Sequence, residues 1–110
     1  MNSISLNTPQ KGKVRLIVFR DIEDANWYGV ALEFNIVVSA NSYEEVFSEL
    51  KEAMDGYLEV ASEIKGSTKH PYLNQTPMDE YELLWNELES NESVSSPYQV
   101  EFHGLKNIHA

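Results

Sequence analysis

The side chains that could do chemistry in this chain are three histidines, a surplus of carboxylates and one adjacent aromatic pair. A zinc site needs histidines, carboxylates or thiolates at helix or strand spacing. His70, His103 and His109 have no such neighbour, no His-Glu-x-x-His motif occurs, and the chain has no cysteine. The histidines therefore read as surface or half-buried imidazoles, with no metal or other cofactor. The missing cysteines also remove disulfides and thiolate nucleophiles. Carboxylate pairs such as Glu45 with Glu49 and Glu52 with Asp55 fall on the outward side of a helix and read as a solvated face. A catalytic pair would need a cleft that raises one pKa, and the sequence signals none. With no glycine-rich phosphate loop and no Gly-x-Ser-x-Gly elbow, no enzyme is expected and no catalytic residue is assigned.

Binding chemistry is better represented. Trp27 and Tyr28 follow a turn and alternate faces, so one ring can meet the core while the other projects outward as a binding anchor. In the competing arrangement Trp27 packs over the hairpin or under the second helix. Charge is unevenly placed on a chain of net −10. Lys11, Lys13, Arg15 and Arg20 are the only charges of the first twenty residues, and the other ninety carry 4 basic and 18 acidic residues. Such a body repels phosphate backbones and draws in basic protein surfaces. Nucleic-acid binding by this domain is therefore not expected; the competing use of the surplus is solubility.

The elements that would position these groups follow from pattern. The 110 residues are 42% hydrophobic, enough for one globular domain with a single modest core. Residues 1–12, with Pro9 and Gly12, read as a flexible arm. Alternating Val14, Leu16 and Val18 predict a strand over 13–22, and apolar Ile17 and Phe19 require its second face to be covered too. Glu23-Asp24-Ala25-Asn26 is a turn. Trp27–Phe34 is the returning strand, Asn35 offers a bend, and Ile36–Ser39 is a third strand, together an antiparallel meander. Ser42 and Glu45 form a capping box. They open an amphipathic helix with Val46, Leu50, Ala53, Tyr57 and Val60 on one face, widened by Phe47, Met54, Leu58 and Ala61. Lys65 and Gly66 supply its stop. Gly56 costs that helix up to about 1 kcal/mol against alanine, a loss that close contact with a strand would explain. Thr76 as N-cap and Pro77 at the first position start a second helix over 77–90. Tyr98, Val100 and Phe102 alternate in a fourth strand over 98–103, and 105–110 read as a flexible tail. The expected fold is α+β: a three-stranded antiparallel meander with a long amphipathic helix packed on it, an inserted second helix and a fourth strand, all within 13–104. The first residues, Met1-Asn2-Ser3-Ile4-Ser5, lack the charged region and apolar run of a signal peptide, and no apolar run approaches the roughly 20 residues of a membrane span, so a cytoplasmic location is expected.

Residues 13–60 resemble the N-terminal domain of HicB-like antitoxins. The likeness lies in the order Glu23-Asp24, Trp27-Tyr28, Leu32-Glu33-Phe34-Asn35-Ile36-Val37, Ser42-Tyr43-Glu44-Glu45-Val46, Leu50-Lys51-Glu52-Ala53 and Tyr57-Leu58-Glu59. Val46 departs from the family's usual alanine, Ala40-Asn41 from its glycine-containing turn, and the segment 77–90 is an insertion. No DNA-binding domain of the kind many members carry is visible. The resemblance implies a protein that binds and neutralises a small basic ribonuclease toxin (HicA-like) through an acidic surface, with Glu23, Asp24, Trp27, Glu33 and Asn35 as partner contacts. It also implies a homodimer or higher oligomer, with an exposed fourth strand pairing across a two-fold axis. The alternative is a stand-alone HicB-fold binding or regulatory module without a toxin, using helix 77–90 to hold its partner.

Overall fold

The computed structural model describes residues 6–8, 11–63, 71–94 and 97–109. In chain order the elements are β1 (Lys11–Asp21), β2 (Asn26–Ala31), β3 (Ile36–Ala40), α1 (Tyr43–Glu63), α2 (Asp79–Glu89) and β4 (Tyr98–His109), with short 3-10 turns at Leu32–Phe34 and Pro71–Leu73. The strands form one antiparallel sheet in the order β3-β2-β1-β4. This is an α+β fold of one four-stranded sheet and two helices.

Side chains alternate across β1 and divide the interior in two. Val14, Leu16 and Val18 join Val46, Leu50, Met54 and Ala61 of α1 in one core. Ile17 and Phe19 join Val30, Leu32 and the α2 residues Leu84 and Trp85 in the other. The apolar second face of β1 thus finds its cover in α2. Ser42 Oγ accepts the Glu45 amide at 3.2 Å, which satisfies an otherwise unpaired donor in the first turn of α1.

The close approach of α1 to the sheet is at Gly29 rather than Gly56. A Cβ on Gly29 would lie 3.1 Å from Leu50 Cδ2 and 3.3 Å from Val38 Cγ2, whereas one on Gly56 would meet nothing within 4 Å. Val60, assigned to the helix's buried face by spacing, is 62% exposed; the face centres on Val46, Leu50, Met54 and Ala61 instead.

Several boundaries differ from the sequence expectation. β2 ends at Ala31, three residues before Phe34, and the 3-10 turn closes on Asn35 in the left-handed conformation (φ 52). That turn sends Leu32 to the α2 core and Phe34 to the α1 core, although alternation would put both on one face. α2 begins at Asp79, with extended Met78 preceding it and no side-chain cap, so Thr76 and Pro77 lie outside the helix. β4 continues through the segment read as a tail, pairing Leu105–His109 with Arg15–Lys11. A bulge at Glu101 shifts the register, with Val18 opposite Phe102 and Phe19 opposite Val100. Val100 therefore packs with the α2 core and Phe102 with the α1 core.

Within the arm, Asn7 is buried. Its amide donates to Asn74 Oδ1 at 2.7 Å, its Nδ2 to the Leu73 carbonyl at 3.0 Å, and its Oδ1 accepts the Lys13 amide at 2.8 Å. A Cβ on Gly12 (φ 149) would lie 2.1 Å from that Oδ1, so the arm's glycine is demanded by packing and conformation together. The predicted stop at Lys65-Gly66, the loop containing His70 and the break at Ser95-Ser96 lie outside the described residues. No described helix is long and apolar enough to cross a membrane.

Candidate partner-binding site

The five partner residues implied by the resemblance fall in three separate places. Glu23 and Asp24 are exposed in the β1–β2 turn. The Asp24 carboxylate accepts the Tyr28 hydroxyl and, at 2.9 Å, the Asn26 amide. These bonds, the hydroxyl's first, lower the pKa of Asp24, and the same contact raises that of Tyr28. Trp27 packs edge-on against Tyr43, ring centroids 5.7 Å apart, so it lies on the α1 face. Half-buried, it packs over the β1–β2 hairpin on the α1 side and not under the second helix. Its neighbour Tyr28 stacks on Phe19 at 5.5 Å on the α2 side.

Glu33 and Asn35 stand at the far end of β2 from that turn, beyond Ala31. Glu33 lies in the 3-10 turn, not on a strand. Its carboxylate accepts the Arg15 amide at 2.8 Å and Arg15 Nε at 2.6 Å. The remaining arm of the guanidinium is bidentate to Glu82 of α2, at 2.6 and 2.9 Å, and sits 5.7 Å from the centroid of the Trp85 ring. Arg15 thus clamps the sheet, the 3-10 turn and α2 together. Its bonds to Glu82 raise its own pKa above an already basic value, and they lower that of Glu82. Asn35 Nδ2 donates to Gln75 Oε1 at 3.1 Å and to the Thr76 carbonyl at 3.2 Å. Gln75 Nε2 reaches Tyr57 Oη at 2.6 Å and the Phe34 carbonyl at 3.2 Å, and Tyr57 Oη donates to the Tyr72 carbonyl at 2.6 Å. The Glu33 carbonyl accepts the Gln75 amide at 2.9 Å, so Glu33 and Asn35 together anchor Gln75 and Thr76 ahead of α2.

The unneutralised charge is elsewhere. On α1, Glu44, Glu45, Glu49, Glu52, Asp55, Glu59 and Glu63 are exposed, with Lys51 the helix's only cation. The ion pairs among the described residues are those of Arg15 and a 3.7 Å approach of His103 Nε2 to Glu89. The outer face of α1 is thus a run of free carboxylate. No three metal-binding side chains converge among the described residues.

Sequence reasoning passed over a groove between α1 and β4. α1 packs chiefly on β3 and β2 and covers β4, at the other edge, only in part. The resulting cleft, about 330 Å³, is lined by Leu16, Phe47, Leu50, Met54 and Phe102, with Lys51 and Lys106 beside them. The available signal was the pair of lysines flanking apolar positions on an acidic chain. Without the sheet order nothing linked residues 51 and 106.

Set against protein-family models, characterised proteins and solved structures, the chain matches none of them.

Proposed function

We propose that this protein is a non-catalytic, HicB-like antitoxin-type module that binds and neutralises a small basic ribonuclease. The observation that supports this reading best is the outer face of α1, where seven exposed carboxylates stand without a described counter-ion. Laid over the cationic RNA groove of such a toxin, this face competes with RNA by charge and by bulk, and the charge steers encounter. The Glu23-Asp24 turn extends the acidic surface. Glu33, already held by Arg15, contributes little to it. The order of strands and first helix agrees with the order that carried the resemblance.

Salt-resolved co-purification with small basic ribonucleases encoded beside this chain tests the reading. The expected result is a stoichiometric complex that weakens with salt and is lost on Glu52→Lys/Asp55→Lys/Glu59→Lys. A complex indifferent to both salt and charge reversal, or no complex at low salt, overturns it.

A second reading has its own observation. Met78 is 52% and Leu83 61% exposed, at the start and on the outer side of α2. Two such side chains suit a stand-alone module that holds its partner through the inserted helix. Leu83→Asp would then abolish partner binding while the α1 reversals leave it intact.

A further inference from the structure

The groove beside β4 has the opposite electrostatic character from the outer face of α1. It runs along an edge strand whose outer side pairs with no described strand. Its floor and walls are apolar: Leu16 from β1, Phe47, Leu50 and Met54 from α1, and Phe102 from β4. Phe47 and Phe102 meet edge-on at 5.4 Å and form its inner wall. Phe102 can lie along the strand because residue 104 is glycine; a Cβ there would come within 3.0 Å of Phe102 Cζ. Beyond the Glu101 bulge, Phe102–Ile108 runs in unbroken register with β1, so this half of the edge can template another strand.

The cations gather at the same end. Lys51 and Lys106 line the groove. Neither forms an ion pair among the described residues. On a chain of net −10, two such lysines at one apolar cleft form a local field that attracts carboxylate.

We infer that this groove receives an extended segment of another protein, added as a fifth strand along Phe102–Ile108, with apolar residues and an aspartate or glutamate spaced two apart on the side that faces the cleft. Main-chain bonds to the β4 edge supply register; on that side the apolar side chains meet Phe47, Met54 and Phe102, and the acidic one meets Lys51 and Lys106. Charge selects this occupant over a second copy of the chain, whose β4 carries Glu101 as its single carboxylate and so offers Lys51 and Lys106 little negative charge. The site is separate from the α1 carboxylate face, so it stands or falls independently of the antitoxin reading.

The test is selection of a phage-displayed random decapeptide library on the full chain, with Lys51→Glu/Lys106→Glu as counter-target. Both lysines are on the surface, and circular dichroism checks that the double variant folds. The expected outcome is a consensus in which apolar and acidic residues recur two positions apart, and its affinity, read by fluorescence polarisation of one enriched peptide, falls at least tenfold on the double variant. N-methylation of alternate amides in that peptide should abolish binding in one of its two phases, as strand addition requires. Three results would each overturn the inference: no enrichment over the counter-target, a basic consensus, or concentration-dependent dimerisation in sedimentation that Lys51→Glu/Lys106→Glu abolishes.

Discussion

The two faces of the sheet are held by different physics. The α1 face is a hydrocarbon contact in which Val46, Leu50 and Met54 are each no more than 1% exposed and Gly29 lets the helix settle against the sheet. The α2 face buries only Leu84 and Trp85 from its helix and adds the Arg15 clamp to Glu82 and Glu33. Hydrocarbon burial does not titrate and is not screened by salt, whereas a partly exposed ion pair is weakened by screening and by protonation. The first helix is therefore the permanent half of the fold and the second the adjustable half.

Substitutions can break this contrast. Leu50→Ala should have the largest effect, a global loss of about 3–4 kcal/mol from lost transfer energy and an unfilled cavity, read as a lower denaturation midpoint with α1 and α2 melting together. Arg15→Met should cost about 1–2 kcal/mol, discounted because Glu82 is 37% exposed. Hydrogen exchange should localise that loss to α2 and the 3-10 turn. Equal loosening of α1 would show that the faces are not separable.

Acid and base sharpen the contrast. The Glu82 pKa is lowered in the fold, so its stabilising contribution is present above the unfolded carboxylate value, near 4.3, and disappears as pH falls through the folded one. Glu82→Gln should flatten that acid limb of the stability curve, while Leu50→Ala leaves its shape unchanged. At the other extreme, Tyr98 is raised to about 12 by burial and by its hydrogen bond to Glu80, 2.9 Å long. Its contribution is complete below the unfolded value near 10 and is lost as pH climbs from there toward 12. Ultraviolet titration should show one fewer late-titrating tyrosine in Tyr98→Phe, the others raised being Tyr28, Tyr57 and Tyr81. The smallest effect is a gain. Gly56→Ala on the exposed side of α1 should stabilise by about 0.5–1 kcal/mol, measured by chemical denaturation.

Much of this arrangement was legible in the residues. Ile17 and Phe19 between Val14, Leu16 and Val18 required cover on both faces of β1, and Ser42 with Glu45 marked the start of α1. What escaped was geometry that leaves composition unchanged. Leu32 and Phe34 alternate like strand residues, yet a 3-10 turn closed by left-handed Asn35 splits them between two cores. Leu105–His109 reads as a tail because β4 gains its order from pairing with β1 rather than from its own pattern. Asn7 was passed over because a buried asparagine betrays itself only through distant partners, here Leu73 and Asn74. The candidate contacts were recognisable as polar and aromatic residues near a hairpin. Their separation into turn, α1 face and clamp depends on where β2 stops.

The bulge at Glu101 makes β4 a strand with one spare residue. Because Val100 already faces Phe19 and Phe102 already faces Val18, deleting Glu101 would leave every other β4 side chain on its present side. A deletion at Gln99 or Leu105 would instead turn part of the strand inside out. Length variation in this strand therefore has a single silent address. Grafts or permutations that respect it can resize the edge without rewriting either core.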